Sequence, residues 1–190
     1  MTEKKNGALI AENEKSMKKL YIFVEGNDDE LYFNTIVVPL LIDKYADIEI
    51  IQYAQMKKEK VELFILSINT LKFDYLLIAD IDFHNSVRQK KKFLELRFSN
   101  LDSDLIYIVV KEIESWYYAG IKDEQSRELG VKPMKNTNEL VKEEFNLLYH
   151  RKFKSRIDFM LELLKEYSIK TAMNKNESFN FFAENVLFSE

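Results

Sequence analysis

Cysteine is absent from this chain, and histidine occurs only at His84 and His150. Disulfides, thiolate zinc sites, iron–sulfur clusters and cysteine nucleophiles are therefore excluded, and so is a histidine-rich metal site. A resident metal must be held mainly by carboxylate oxygen, which favours magnesium, manganese or calcium. No apolar run approaches the roughly 18–20 residues of a membrane span. The opening M-T-E-K-K-N-G lacks the apolar core of a signal peptide, so the expectation is a soluble cytoplasmic protein with no membrane partner. Basic charge is not in excess: 28 Lys and Arg face 32 Asp and Glu, a net charge of −4. Only a local basic stripe can then mark a nucleic-acid partner. There is no G-x-x-x-x-G-K-[ST] loop, no internal repeat and no low-complexity segment. No Asn-Gly or Asp-Gly turn joins the candidate strands, which removes the simplest antiparallel arrangement.

What is present is organised around Leu20–Phe33, L-Y-I-F-V-E-G-N-D-D-E-L-Y-F. Leu20–Val24 reads as a strand buried on both faces. It ends in Glu25 and Gly26, then in a polar turn whose Asn27, Asp28 and Asp29 offer cap oxygens to a helix reaching about Val38, with Pro39 marking a kink or a last turn. Asp47–Tyr53 alternates like a strand nearer a sheet edge, and Lys57–Asn69 is amphipathic. Asp74–Asp80 repeats the first design, an apolar run closed by carboxylate. A basic helix follows over Asn85–Arg97. Asp104–Val110 is a fourth strand, ending in Lys111 and Glu112, and Ile113–Ala119 a short aromatic helix stopped by Gly120. Helical spacing then recurs over 138–149, 154–167 and 177–188. The pattern predicts an α/β chain of 190 residues: a polar arm over residues 1–18, an α/β domain over 19–125 and a helical C-terminal subdomain over 126–190.

Three of the four strands run into acid: Glu25 after the first, Asp80 and Asp82 after the third, Glu112 and Glu114 after the fourth. A charge at the mouth of a buried strand costs several kcal/mol unless something compensates it. Here the neighbouring sequence supplies more acids rather than a base. In an open parallel sheet, ligands bind outside the carboxyl ends of the strands. A divalent cation is therefore expected at this edge.

The segments V-E-G-N-D-D-E at 24–30 and I-A-D-I-D-F at 78–83 resemble the TOPRIM domain shared by topoisomerases, DnaG-type primases and several nucleases. Glu25-Gly26-Asn27-Asp28-Asp29 is similar to the E-G-x-x-D form of the overcoming-lysogenisation-defect (OLD) nuclease branch, in which a later I-E motif adds a metal ligand, matched here by Ile113-Glu114. K-E-I-E-S-W-Y-Y-A-G and the closing E-S-F-N-F-F resemble small standalone TOPRIM-like proteins, some linked to phage defence. The resemblance covers about residues 20–120 and implies a Rossmann-like, mostly parallel four-stranded sheet flanked by helices, with a C-terminal helical extension.

It also implies roles. Asp80 and Asp82 would hold Mg²⁺ or Mn²⁺, with Asp29 and Glu114 (Glu112 as the alternate) available to a second ion. Glu25 would be a ligand or the general acid/base. Lys111 would stabilise transition-state charge or form a plain ion pair. Arg88, Lys90, Lys91 and Lys92 make up a cluster that suits phosphate, or a solvated helix face. His84 reads as a turn residue, and Trp116, Tyr117 and Tyr118 as core rather than as a base-stacking surface. The chain has no room for a topoisomerase gate domain, and the primase zinc module and the ATPase that accompanies OLD-type domains are absent. The expected activity is a metal-dependent phosphoryl transfer, a nuclease cutting DNA or RNA. The alternatives are a partner-dependent module working beside a separately encoded ATPase, and an RNA-maturing ribonuclease of the M5 type, whose Gly-Glu after Asp-x-Asp is replaced here by Phe83-His84.

Overall fold

The computed structural model describes residues 18–148 and 152–189. The arm expected over residues 1–18 lies outside the described residues apart from Lys18, as do His150 and Arg151. Four strands, β1 (Lys19–Val24), β2 (Asp47–Gln52), β3 (Asp74–Asp80) and β4 (Ile106–Val109), form an all-parallel sheet in the order β2-β1-β3-β4. β1 pairs with β2 from Lys19↔Asp47 to Val24↔Gln52, and with β3 from Leu20↔Asp74 to Phe23↔Leu77. Leu20, Ile22, Phe23 and Val24 are buried on the inner strand β1, as are Tyr75–Ala79 on β3, whereas the edge strand β2 buries only Ile51. Continuous apolar runs mark the strands covered on both faces, β4 at the other edge among them, and alternation marks β2.

This order contains a reversal. The chain leaves β1 towards β2 on one side, then crosses back to lay β3 on the other side of β1. The connections after β1 and β3 thus depart in opposite directions, which is the switch point where open parallel sheets bind their ligands.

Two compact units divide the chain. One gathers the chain up to Ile78 together with Phe93–Ile106; the other gathers Ala79–Lys92 and the chain from Tyr107 onward. In the first unit, α1 (Asn27–Tyr32) runs through a wide π-helical turn, Phe33–Val37, into α2 (Val38–Leu41). Pro39 sits in the first turn of α2, directly after the widened turn, so the helix continues past the expected kink. α3 (Lys58–Leu71) buries Val61, Ile65 and Ile68, and ends on Lys72 at φ 58°. Phe23 meets Tyr75 edge-on at 6.3 Å, and the Tyr75 hydroxyl accepts the Asp102 N–H at 2.7 Å.

α4 (Val87–Arg97) starts in the second unit and ends in the first. The fourth strand is shorter than expected because Ser103–Leu105 winds one 3₁₀ turn, capped by Asp102 accepting from Asp104 N–H at 2.9 Å. In the second unit, all six residues of α5 (Glu114–Ala119) are buried. Trp116, Tyr117 and Tyr118 are thereby core residues. Trp116 Nε1 donates to Ser178 Oγ at 2.9 Å, and its ring meets Phe179 and Phe182, each at 5.2 Å. α6 (Asp123–Leu129) closes on Gly130 at φ 76°, the left-handed helix stop that glycine adopts freely. α7 (Lys142–Leu148), α8 (Arg156–Lys165), α9 (Ile169–Lys175) and α10 (Glu177–Phe182) follow, the last running into a π-helical turn at Ala183–Leu187. Ser155, Ser168 and Asn176 cap α8, α9 and α10 through their side-chain oxygens. α6 and α9 add to the three C-terminal helices read from spacing alone. Among the described residues no helix is long and apolar enough to cross a membrane.

Gly120 is required by close approach rather than by its backbone angle. A Cβ there would lie 2.1 Å from the Tyr167 ring, which is pinned by its hydroxyl donating to the Trp116 carbonyl at 3.0 Å. Gly120→Ala is expected to destabilise the protein by about 1–3 kcal/mol through overpacking, read as a lower urea midpoint at unchanged slope.

Candidate metal centre

In the first unit the acids after β1 are tied into a tight turn. Gly26 N–H donates to Asp29 Oδ2 at 3.1 Å, so the buried Asp29, 6% exposed, caps its own helix. Half-buried Glu25 accepts the hydroxyl of buried Tyr53 at 3.1 Å. Tyr53 stands just beyond β2, and its ring packs edge-on to Phe98 at 5.9 Å. Burial, and then the negative charge of Glu25 and Asp29, hold the Tyr53 phenol well above the ordinary tyrosine range. It therefore stays a hydrogen-bond donor to Glu25. Beside them, Gln52 Nε2 bridges Asn27 Oδ1 at 2.7 Å and the Glu30 carboxylate.

In the second unit Asp80 closes β3, and Ile81 N–H continues the ladder to the Val109 carbonyl at 2.9 Å. Asp80 Oδ1 is buried and accepts no hydrogen bond, although the residue takes part in other interactions. Asp82 adopts a left-handed backbone at φ 52° and turns its carboxylate to Lys90 Nζ. Lys90 is itself only 3% exposed, so it is Asp82's partner and does not stand among the solvent-facing cations of α4. Arg88 and Lys92 are exposed and Lys91 is half-buried.

The two acids after β4 face the C-terminal helices. Glu112 Oε2 accepts the backbone N–H of Lys142, the first residue of α7, at 2.5 Å. Glu114, 1% exposed, takes Arg156 Nη2 at 2.6 Å and Lys142 Nζ at 3.4 Å on one oxygen. Arg156 is further held by Asn146 Oδ1 at 2.8 Å and lies over the Phe145 ring. Two cations thus already neutralise Glu114. Lys111, at φ 68°, pairs with Glu139 at 2.9 Å, the plain ion-pair reading of that lysine.

The donors are carboxylate oxygens throughout, the chemistry that magnesium and manganese prefer, and Asp80 with Asp82 fits a cation-binding pair in kind. Among the described residues no three acids or histidines stand together as a ready-made cage. Compared with known proteins, the chain matches no family model, no curated protein and no solved structure. The Tyr53 contact to Glu25 and the pairing of Glu114 with Arg156 and Lys142 are what sequence reasoning missed. Tyr53 carried a usable signal, since it directly follows the carboxyl end of β2.

Arg156→Met is expected to cost about 3 kcal/mol by taking the closer of two cations from buried Glu114, and the double change Glu114→Met/Arg156→Met to recover most of it. Chemical denaturation of both variants checks this. In the unfolded chain Tyr53 ionises near pH 10, while in the folded chain it keeps its proton to higher pH. Stability is thus full below about pH 10 and falls as pH rises above it. Urea midpoints measured between about pH 8 and 11 should fall less steeply in Tyr53→Phe.

Proposed function

We propose that this chain is a TOPRIM-like, Mg²⁺- or Mn²⁺-dependent phosphoryl-transfer enzyme, a nuclease acting on DNA or RNA. The observation that carries the reading is topological. β1 and β3 are parallel neighbours flanking the reversal in strand order, and the chain leaves them through Glu25 and Asp80. This is the edge at which parallel sheets take ligands. A divalent cation supplies Lewis acidity towards a phosphodiester when bound to such carboxylates.

The protein's own groups divide the work as follows. Asp80 and Asp82 bind the cation, Asp82 with its charge tempered by Lys90. Glu25 is a ligand or the proton-transferring group, held in place by the Tyr53 hydroxyl. Asp29 shapes the turn after β1 and is the candidate ligand of a second ion, while Glu114 is engaged by Arg156 and Lys142.

A second reading draws on that last observation. With Glu114 neutralised internally, a TOPRIM-like module that acts only beside a separately encoded ATPase needs no second ion at all. Cleavage assays on labelled single- and double-stranded DNA and RNA, with Mg²⁺ or Mn²⁺, separate the two. The nuclease reading expects cutting by the purified chain. It also expects a loss of more than about 100-fold in Asp80→Asn and in Glu25→Gln, because even hydrogen-bond partners of metal ligands are worth about 10–100-fold. Undiminished cutting by either variant overturns the assignment; silence of the wild-type chain, cured by the ATPase, favours the module.

A further inference from the structure

The loop between β3 and α4 holds a feature that neither the fold nor the acids explain. Phe83 is 83% exposed, against 40% for Phe93, 54% for Phe181 and 61% for Phe188. Its ring lies flat on the His84 imidazole, with centroids 4.5 Å apart and planes at 22°. The core ring pairs are tilted or edge-on instead, as Trp116 is to Phe182 at 38° and to Phe179 at 79°. The imidazole beneath is anchored by Nδ1, 3.1 Å from the Ile81 carbonyl, and the same carbonyl accepts the His84 N–H at 3.2 Å. The left-handed turn at Asp82 projects Phe83 outward, a conformation that aspartate tolerates better than most residues. One face of the phenyl is therefore supported, and the ring as a whole is open to water. Exposing an apolar ring is unfavourable, and ordering the residues around it adds a cost in entropy.

The charge on the helix that follows indicates what the ring meets. Arg88, Lys91 and Lys92 recur at i, i+3 and i+4 on α4 and so share one face, with Glu95 one turn further along. Lys90, pointing elsewhere, neutralises Asp82 and so reduces the repulsion that this acid would offer a polyanion. A flat apolar platform followed five residues later in the chain by a row of cations is complementary to one class of ligand, a base carried on a phosphate backbone.

We propose that Phe83, backed by His84, is a stacking platform for an unpaired nucleobase, so that the chain takes single-stranded nucleic acid in preference to duplex. In a duplex both faces of each base are covered by its neighbours, and exposing one costs unstacking energy. The inference rests on the nucleic-acid part of the function proposed above and deepens it by naming the substrate class. It does not depend on cleavage.

The test is fluorescence anisotropy of the full chain with a short labelled single strand and with the same sequence closed into a hairpin duplex, each as DNA and as RNA, with divalent cations removed. The wild-type protein should bind the single strands more tightly. Phe83→Ala should weaken single-strand binding about tenfold, within the range for removing one stacked base contact, and leave duplex binding unchanged. Phe83→Trp should keep the affinity and report stacking by quenching of the new indole. Because the ring is exposed, circular dichroism and melting of Phe83→Ala should match wild type. Equal single-strand binding by wild type and Phe83→Ala overturns the inference, as does failure of the wild-type chain to bind any single strand, the outcome expected if the ring serves a protein partner. Phe83-dependent binding without magnesium-dependent cutting would instead leave the platform standing and remove the nuclease.

Discussion

The pairing of β1 between β2 and β3 is the constraint from which the rest follows. The backbone N–H and C=O groups of an inner strand find partners in the strands on either side, and β1 is flanked on both edges by β2 and β3. Parallel pairing then sends every strand out of the sheet at the same edge, and each return to the other edge needs a crossover. Side chains placed just past the last paired residue inherit a fixed position relative to the strand. Glu25 stands just past the last residue of β1, and Asp80 is itself the last residue of β3.

Electrostatics at this edge is settled by different means for different acids. Glu25 is met by a neutral donor, Tyr53, which leaves its charge intact while fixing its direction. Asp82 and Glu114 are met by cations and are largely neutralised, Glu114 by two groups at once in a nearly water-free setting. A neutral donor preserves a carboxylate's capacity to attract a cation, whereas a guanidinium competes with one. The acids are thus unequal in function although alike in residue type.

Much of the first half of the fold was legible in the sequence. β1 and β3 were read to within a residue because strands covered on both faces spell unbroken apolar runs, and β2 was placed at an edge by its alternation. The C-terminal helices were harder. α6 and α9 are seven residues each, too short for a clear apolar period, and their signals are local ones, Gly130 at one end and Ser168 at another. For the site, the acidic strand ends were legible from position alone. Their partners were not, because Tyr53 and Arg156 lie 28 and 42 residues from the carboxylates they meet, and no local pattern encodes such a contact.

The shortness of these helices has a consequence of its own. α5, α6, α7, α9 and α10 each span six or seven residues, about half of what a helix needs to persist alone in water. None can form first and dock later. They must acquire helicity together with the aromatic packing and the Ser178–Asn176 hydrogen bonding that bury them. The packing around Trp116 is complete only once Phe179 and Phe182 are in place. Loss of the final dozen residues would remove part of the core of α5 and with it the scaffold that carries Glu114.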